Sequence, residues 1–298
     1  MSVSEKTRNG FSSGRATIEE AASAKVNLFL HVGMRRADGF HPLQSLAVFT
    51  GASDALRAEA SAQLSLTLDG PFAAGLRAED DNLVLRAARA LAAHAGVAAG
   101  ATLTLTKNLP VASGIGGGSA DAAAALRALK QLWRLEIQDA ALLEIAANLG
   151  SDVPVCVPSI AATMEGRGEI LTPVPVPRLP MLLVNPGVAV PTRDVFAALK
   201  TRSGTGTALP RGFVDAATLL QFLAATRNDL EAPARALQPV IGEVLDRLAA
   251  LPGVRLARMS GSGATCFALF KDDAACAAAA ATLRQAGQDW WIAPTATR

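Results

Sequence analysis

ASGIGGGSADAAAALRAL, residues 112–129, sets Gly114, Gly116, Gly117 and Gly118 within five positions and then runs into an alanine-rich helical pattern. Glycine inside an element costs conformational entropy, so a cluster marks a place where the chain turns sharply or lets something approach its backbone. Upstream, Leu103 and Leu105 alternate with Thr102, Thr104 and Thr106 as in a half-buried strand, which Pro110 stops. Downstream, Ala122, Leu126, Leu129 and Trp133 recur at the spacing of one helical face. The order is strand, glycine loop, helix. A helix start offers about four unpaired N–H groups and the positive end of the peptide dipoles, so the loop predicts an anion site, phosphate above all.

Two common phosphate loops do not fit. The P-loop needs a lysine after its last glycine, and none lies between Lys107 and Lys130. The dinucleotide pattern G-x-G-x-x-G is met at Gly114 and Gly116, but Ser119 holds the third position and no ribose-binding acid stands out.

The chain has 298 residues, half of them hydrophobic, with no tyrosine and a net charge of +2, enough for a large core in two domains. Its basic residues are scattered and its aromatics sparse, which argues against a nucleic-acid partner. Cys156, Cys266 and Cys276 lack C-x-x-C spacing and read as buried thiols in a reducing, cytoplasmic compartment. His31, His41 and His94 are too far apart for a zinc motif, so no metal held by protein ligands alone is expected. No run of about eighteen apolar residues suggests a membrane span. Residues 1–15 are polar and read as a disordered tail, not a signal peptide.

Strand patterns at Ala24–Val32 and Leu43–Thr50 flank a turn at Asp38-Gly39. Another strand pattern, Ala62–Leu68, and helix patterns at Asn82–His94 and Asp139–Leu149 surround the glycine loop. TPVPVPRLP, Thr172–Pro180, holds four prolines in nine residues and marks a boundary, giving domains at 16–175 and 176–298. Beyond it come a strand, a helix near Thr192–Lys200, a polar loop at Thr201–Thr207, two helices, and a closing strand, strand, helix, strand. The class is α+β.

AKVNLFL with DGFH, PVASGIGGGSADAA, GSDVPV, VPTRDVF, RNDLE and SGSGATCF occur in that order between Ala24 and Phe270, and together they resemble the GHMP kinase superfamily of small-molecule kinases. Small departures are Phe40, where tyrosine is expected, and Ala120, where serine is common. The resemblance implies a two-domain fold, with an N-terminal domain like ribosomal protein S5 domain 2 and a C-terminal ferredoxin-like sandwich. Within the superfamily the motifs are most similar to the branch that phosphorylates, with ATP and Mg²⁺, a cytidyl diphosphate of the sugar alcohol methylerythritol. Other superfamily kinases, acting on homoserine or mevalonate, and a non-catalytic nucleotide sensor are the alternatives. A monomer or weak homodimer is expected.

On this resemblance the ATP phosphates lie along Pro110, Val111, Ala112, Ser113, Gly114, Ile115, Gly116, Gly117, Gly118, Ser119 and Ala120. Ser119 suits both an N-cap and a contact to phosphate or Mg²⁺. Asp152 alone reads as a turn residue and Lys25 as a strand-edge charge; the resemblance makes them a catalytic pair. Asn27 shares the face of Lys25 by the strand period. The resemblance has Phe40 and His41 reading cytosine, with Phe196 over the other face of the ring and Thr192 nearby. Asn228 and Glu231 are spaced as an N-cap and its N3 partner.

Overall fold

The computed structural model describes residues 16–37, 39–76 and 81–298. The expected tail at 1–15 and Asp38 of the turn lie outside the described residues. The first part of the chain runs β1 (Thr17–Val32), β2 (Leu43–Ala60), β3 (Ser65–Asp69), α1 (Leu83–Ala95), β4 (Ala101–Thr106), α2 (Gly117–Leu132), α3 (Asp139–Leu149), α4 (Val153–Cys156), β5 (Ala162–Gly166) and β6 (Ile170–Pro173). The second runs β7 (Pro180–Asn185), α5 (Thr192–Ala197), α6 (Ala216–Ala224), α7 (Glu231–Leu237), α8 (Val240–Ala249), β8 (Val254–Met259), β9 (Cys266–Phe270), α9 (Asp273–Gln285) and β10 (Trp291–Ala296).

β2 is the spine of the first sheet. It pairs with β1 along its length, with β5 through Leu43–Ala47 and with β4 through Ala55–Ala60. β1 and β2 therefore reach well past the stretches their alternation suggests; pairing extends strand structure through alanine-rich segments such as 51–60 that have no period of their own. The second sheet has the order β10-β7-β9-β8, as in a β-α-β-β-α-β unit. The proline-rich stretch lies between the two sheets. Three helices, not two, follow the polar loop before β8.

The sheets do not stand apart. Met181 and Leu183 of β7 and Phe267 and Leu269 of β9 join Ala24, Val26 and Leu28 of β1 in one core, while Leu182, Val184, Cys266 and Ala268 face the helices α5 and α7–α9. This is period-two alternation with both faces buried. On the far side of the first sheet, α2 is buried almost all round through Ala122–Leu126, which is why that stretch is mostly alanine.

Beneath the start of α2 lies a buried charge cluster that sequence reading passes over. Lys107, just after β4, contacts Asp54 of β2 and reaches Asp121 of α2 at 2.6 Å. Asp54 also accepts the N–H groups of Asn108 and Leu109, at 2.6 and 2.8 Å. Burial disfavours charge on Lys107, but Asp121 and Asp54 hold its pKa above the ordinary lysine value. Burial pushes Asp121 up to about 7, with Lys107 opposing and the Asp54 carboxylate adding. Oδ1 of Asp121 is buried with no hydrogen-bond partner.

Between the ordinary aspartate pKa of 3.8 and about 7, folded Asp121 keeps a proton that the unfolded chain has lost. Its contribution to stability therefore falls as pH rises through that window and stays low above it. Asp121→Asn should accordingly gain on the parent protein, by a few degrees in Tm, between pH 5 and pH 8. Thermal melts of both proteins at the two pH values check this, and a pH-independent difference would mean that Asp121 is ionised throughout.

Candidate active site

The glycine loop links β4 to α2 by a backbone that L-residues resist: Ala112, Gly114 and Gly116 all have positive φ, of 50°, 76° and 66°. Gly116, not Ser119, is the N-cap of α2. Ser119 is the third helical residue, so the capping role is corrected by a start three residues earlier, and its hydroxyl makes no hydrogen bond among the described residues. Gly117, Gly118 and Ser119 form the first turn, whose N–H groups have no acceptor within the helix. A Cβ on Gly118 would meet nothing within 4 Å, so the space above this turn is open. Pro110, Val111 and Ser113 line the same cleft, whereas Ile115 and Ala120 are buried and hold the loop from below.

The second glycine loop, between β8 and β9, locks onto the first. Ser260 Oγ accepts the N–H of Asn27 at 3.1 Å and donates to the Gly114 carbonyl at 3.0 Å. Thr265 N–H donates to the Ser113 carbonyl at 3.0 Å. A Cβ on Gly114 would sit 2.5 Å from the Ser260 oxygen, and one on Gly261 would sit 2.8 Å from the Gly114 oxygen. These backbones touch only because both residues are glycine.

Lys25 and Asp152 come together at the loop, Nζ to Oδ2 2.9 Å, with the lysine side chain 4 % exposed and the aspartate 38 %. β1 delivers Lys25 from below, where its stem lies against Gly116, and its backbone N–H donates to the Ile115 carbonyl at 2.9 Å. Asp152 precedes α4 and caps nothing with its side chain. Lys25 Nζ also donates to Asn27 Oδ1 at 2.9 Å, and Asn27 Nδ2 donates to Ser45 at 2.7 Å. An accessible carboxylate and a buried ammonium beside free helix-start N–H groups can hold an anion and take a proton from a hydroxyl.

At the other end of the cleft, His41 faces Phe196, ring centroids 6.0 Å apart and planes 28° from parallel. His41 Nδ1 lies 2.9 Å from the Gly33 carbonyl, so it carries the proton and leaves Nε2 as an acceptor in the neutral ring. Phe40 lines the same cleft as His41 and Phe196. It precedes β2, is 52 % exposed, and lies under the Arg167 guanidinium, 3.7 Å from the ring centroid. Thr192 Oγ1 is 2.8 Å from Ser262 Oγ and ties α5 to the second glycine loop.

Asn228 and Glu231 do not form the reciprocal capping pair their spacing suggests, although Asn228 Oδ1 accepts the Leu230 N–H at 2.9 Å just ahead of α7. Asn228 Nδ2 donates to the carbonyls of Met259 and Gly261, both at 2.8 Å, and Glu231 accepts the Met259 N–H at 3.0 Å. They brace the second glycine loop, since α7 begins only at Glu231 and has no side-chain cap. Lys107 and Asp121 also line the cleft. The sequence signal for Asp121 was a charged residue inside an otherwise alanine face.

The cleft encloses about 1680 Å³, beyond the ~300–1,000 Å³ of a site for one drug-sized ligand. The family described as GHMP kinases N terminal domain matches residues 82–159, and GHMP kinases C terminal matches residues 210–289. A 4-diphosphocytidyl-2-C-methyl-D-erythritol kinase of Rhodospirillum rubrum is 54 % identical over 92 % of this chain and 91 % of its own. One from Cereibacter sphaeroides is 52 % identical over 93 % and 98 %. The crystal structure of a 4-(cytidine 5'-diphospho)-2C-methyl-D-erythritol kinase superposes with a TM-score of 0.77 at 36 % identity, covering 94 % of this chain and all of the other. A homoserine kinase from Cytophaga hutchinsonii, at 19 % identity and a TM-score of 0.70, shares the fold. With half its residues in common with such enzymes over nine-tenths of its length, the chain belongs to the 4-diphosphocytidyl-2-C-methyl-D-erythritol kinase family of the GHMP kinases.

Proposed function

We infer that the protein transfers the γ-phosphoryl group of ATP to the 2-hydroxyl of 4-diphosphocytidyl-2-C-methyl-D-erythritol, in the methylerythritol phosphate route to isoprenoid precursors. The observation that carries the mechanism is the Lys25–Asp152 pair, 2.9 Å apart beside the first turn of α2. ATP phosphates take the N–H groups of Gly117, Gly118 and Ser119. The acceptor hydroxyl gives its proton to Asp152, its oxygen bonds to the γ-phosphorus, and ADP leaves. Little covalent work falls to the protein, because phosphoryl transfer through a loose transition state depends on alignment and on neutralising oxygen charge. Lys25 supplies that charge and fixes Asp152. A pair kept in this geometry also speaks against a non-catalytic sensor.

Mg²⁺ enters with ATP. Among the described residues no three His, Cys, Asp or Glu side chains converge to hold a metal, so phosphate oxygens would be its main ligands and the Ser119 hydroxyl would be the one the chain adds. When bound, it would supply positive charge to the transferring phosphate. Three buried free cysteines fit a reducing cytoplasm.

Asp152→Asn and Lys25→Ala should each lower kcat by at least about a hundredfold, with the KM for ATP far less affected. ADP release with ATP-Mg²⁺ and a panel of alcohols measures both this and the acceptor; turnover of homoserine or mevalonate but not of the cytidyl substrate would overturn the reading. An Asp152→Asn enzyme with near-normal kcat would reduce that aspartate to a turn residue.

The base is the second determinant. An acceptor at His41 Nε2 suits the exocyclic amine of cytosine and is left unpaired by the carbonyl of uracil, a mismatch that buried sites punish. His41→Ala should lower kcat/KM for the cytidyl substrate and narrow its lead over a uridyl analogue. Phe196→Ala should weaken both alike, by about 1–3 kcal/mol for one lost stacking face. Kinetics of the two variants on the two analogues separate these effects, and an undiminished cytosine preference in His41→Ala would place base recognition elsewhere.

A further inference from the structure

Seven lysine and arginine side chains line the cleft against three acidic ones, although the whole chain carries only +2. Lys25 and Lys107 are at the glycine-loop end and are held in ion pairs. Arg35, Arg36, Arg167 and Arg193 are exposed, where charge steers an anion but is well solvated. Arg202 differs. It is half-buried, its Nε is buried with no hydrogen-bond partner, and it has no ion pair among the described residues.

The segment carrying Arg202 is fixed on both sides of the base end. Ser203 donates from N and Oγ to Asp229, at 2.7 and 2.6 Å, and Asp229 also accepts the Val32 N–H at 2.8 Å. Gly204 N–H donates to the Val32 carbonyl at 3.2 Å, and Thr205 Cγ2 would lie 3.3 Å from a Cβ on Gly33. Gly33 is the residue whose carbonyl holds His41. A guanidinium with an unused donor is thus anchored next to the groups assigned to the base.

We propose that Arg202 is a binding residue for the diphosphate of the acceptor, a cytidine diphosphate ester, taking its phosphate oxygens in a fork of N–H groups while the glycine loop serves ATP. This rests on the cytidyl reading given above. A buried donor left unmade is costly, and a phosphate oxygen satisfies it with a charge-assisted bond. The planar fork is what lysine lacks.

Titration calorimetry with cytidine 5'-diphosphate and with cytidine tests the proposal on the intact protein. The parent should bind the diphosphate at least about tenfold more tightly than cytidine, the effect of one charge-assisted contact. Arg202→Gln should reduce that ratio to below about threefold without changing cytidine affinity or the KM for ATP, and Arg202→Lys should restore part of it. An Arg202→Gln protein that keeps the parent ratio, or a parent with no preference for the diphosphate, overturns the assignment and leaves the cytidyl reading intact. A parent that binds neither ligand overturns both.

Discussion

One hydroxyl group joins the two halves of the site. Ser260 Oγ, from the second glycine loop, stands between the Asn27 N–H of β1 and the Gly114 carbonyl of the first loop. It is wholly buried, so neither bond competes with water. Around it the backbones of Gly114 and Gly261 pack at distances that exclude a Cβ on either, with the Gly263 backbone also against Gly114. The shape of the first glycine loop is thus set from outside itself, by a loop nearly 150 residues away in sequence. Asn228 and Glu231 extend the same brace outward, which ties α7 to a site it never touches.

The shared core makes this fixity possible. β7 and β9 give one face to β1 and the other to their own helices, so the two sheets are layers of a single packed body rather than lobes on a linker. Large apolar interfaces of this kind resist relative domain motion. Arg258 reinforces the seam: its buried guanidinium donates to the carbonyls of Leu28, Leu223 and Thr226, at 2.7, 3.0 and 2.7 Å. Burial lowers its pKa to about 10, still well above neutrality, so the clamp stays charged.

Much of this was legible in the sequence, and the pattern of what was not is physical. Glycine clustering, alternation in β4 and the helical spacing of α2 are local signals, and they located the glycine loop and the helix it opens. Strand lengths in β1 and β2 were understated because hydrogen bonds to partners decide them where alternation fades. The buried Asp54–Lys107–Asp121 cluster and the bracing by Asn228 join residues far apart in the chain, and nothing at any one position announces such a meeting. Ser119 and Asn228 illustrate the same limit: both belong to residue types that favour caps, but α2 starts before Ser119, and the Asn228 amide also bonds the second glycine loop. Lys25 and Asp152 are 127 positions apart, and it was family resemblance, not periodicity, that linked them.

The surroundings of Lys25 fix a direction as well as a charge. An ammonium group has three N–H donors. Asp152 and Asn27 take two of them, each at 2.9 Å, and the stem lies against Gly116. One donor remains. The lysine is therefore a vector rather than a diffuse cloud of positive potential: it has a single bond left to give, and the two it already makes determine where that bond points. Arginine, with the same charge but a flat five-donor fork, has no way to reproduce that geometry. At this position the fold selects for tetrahedral nitrogen, and charge alone does not describe what the residue contributes.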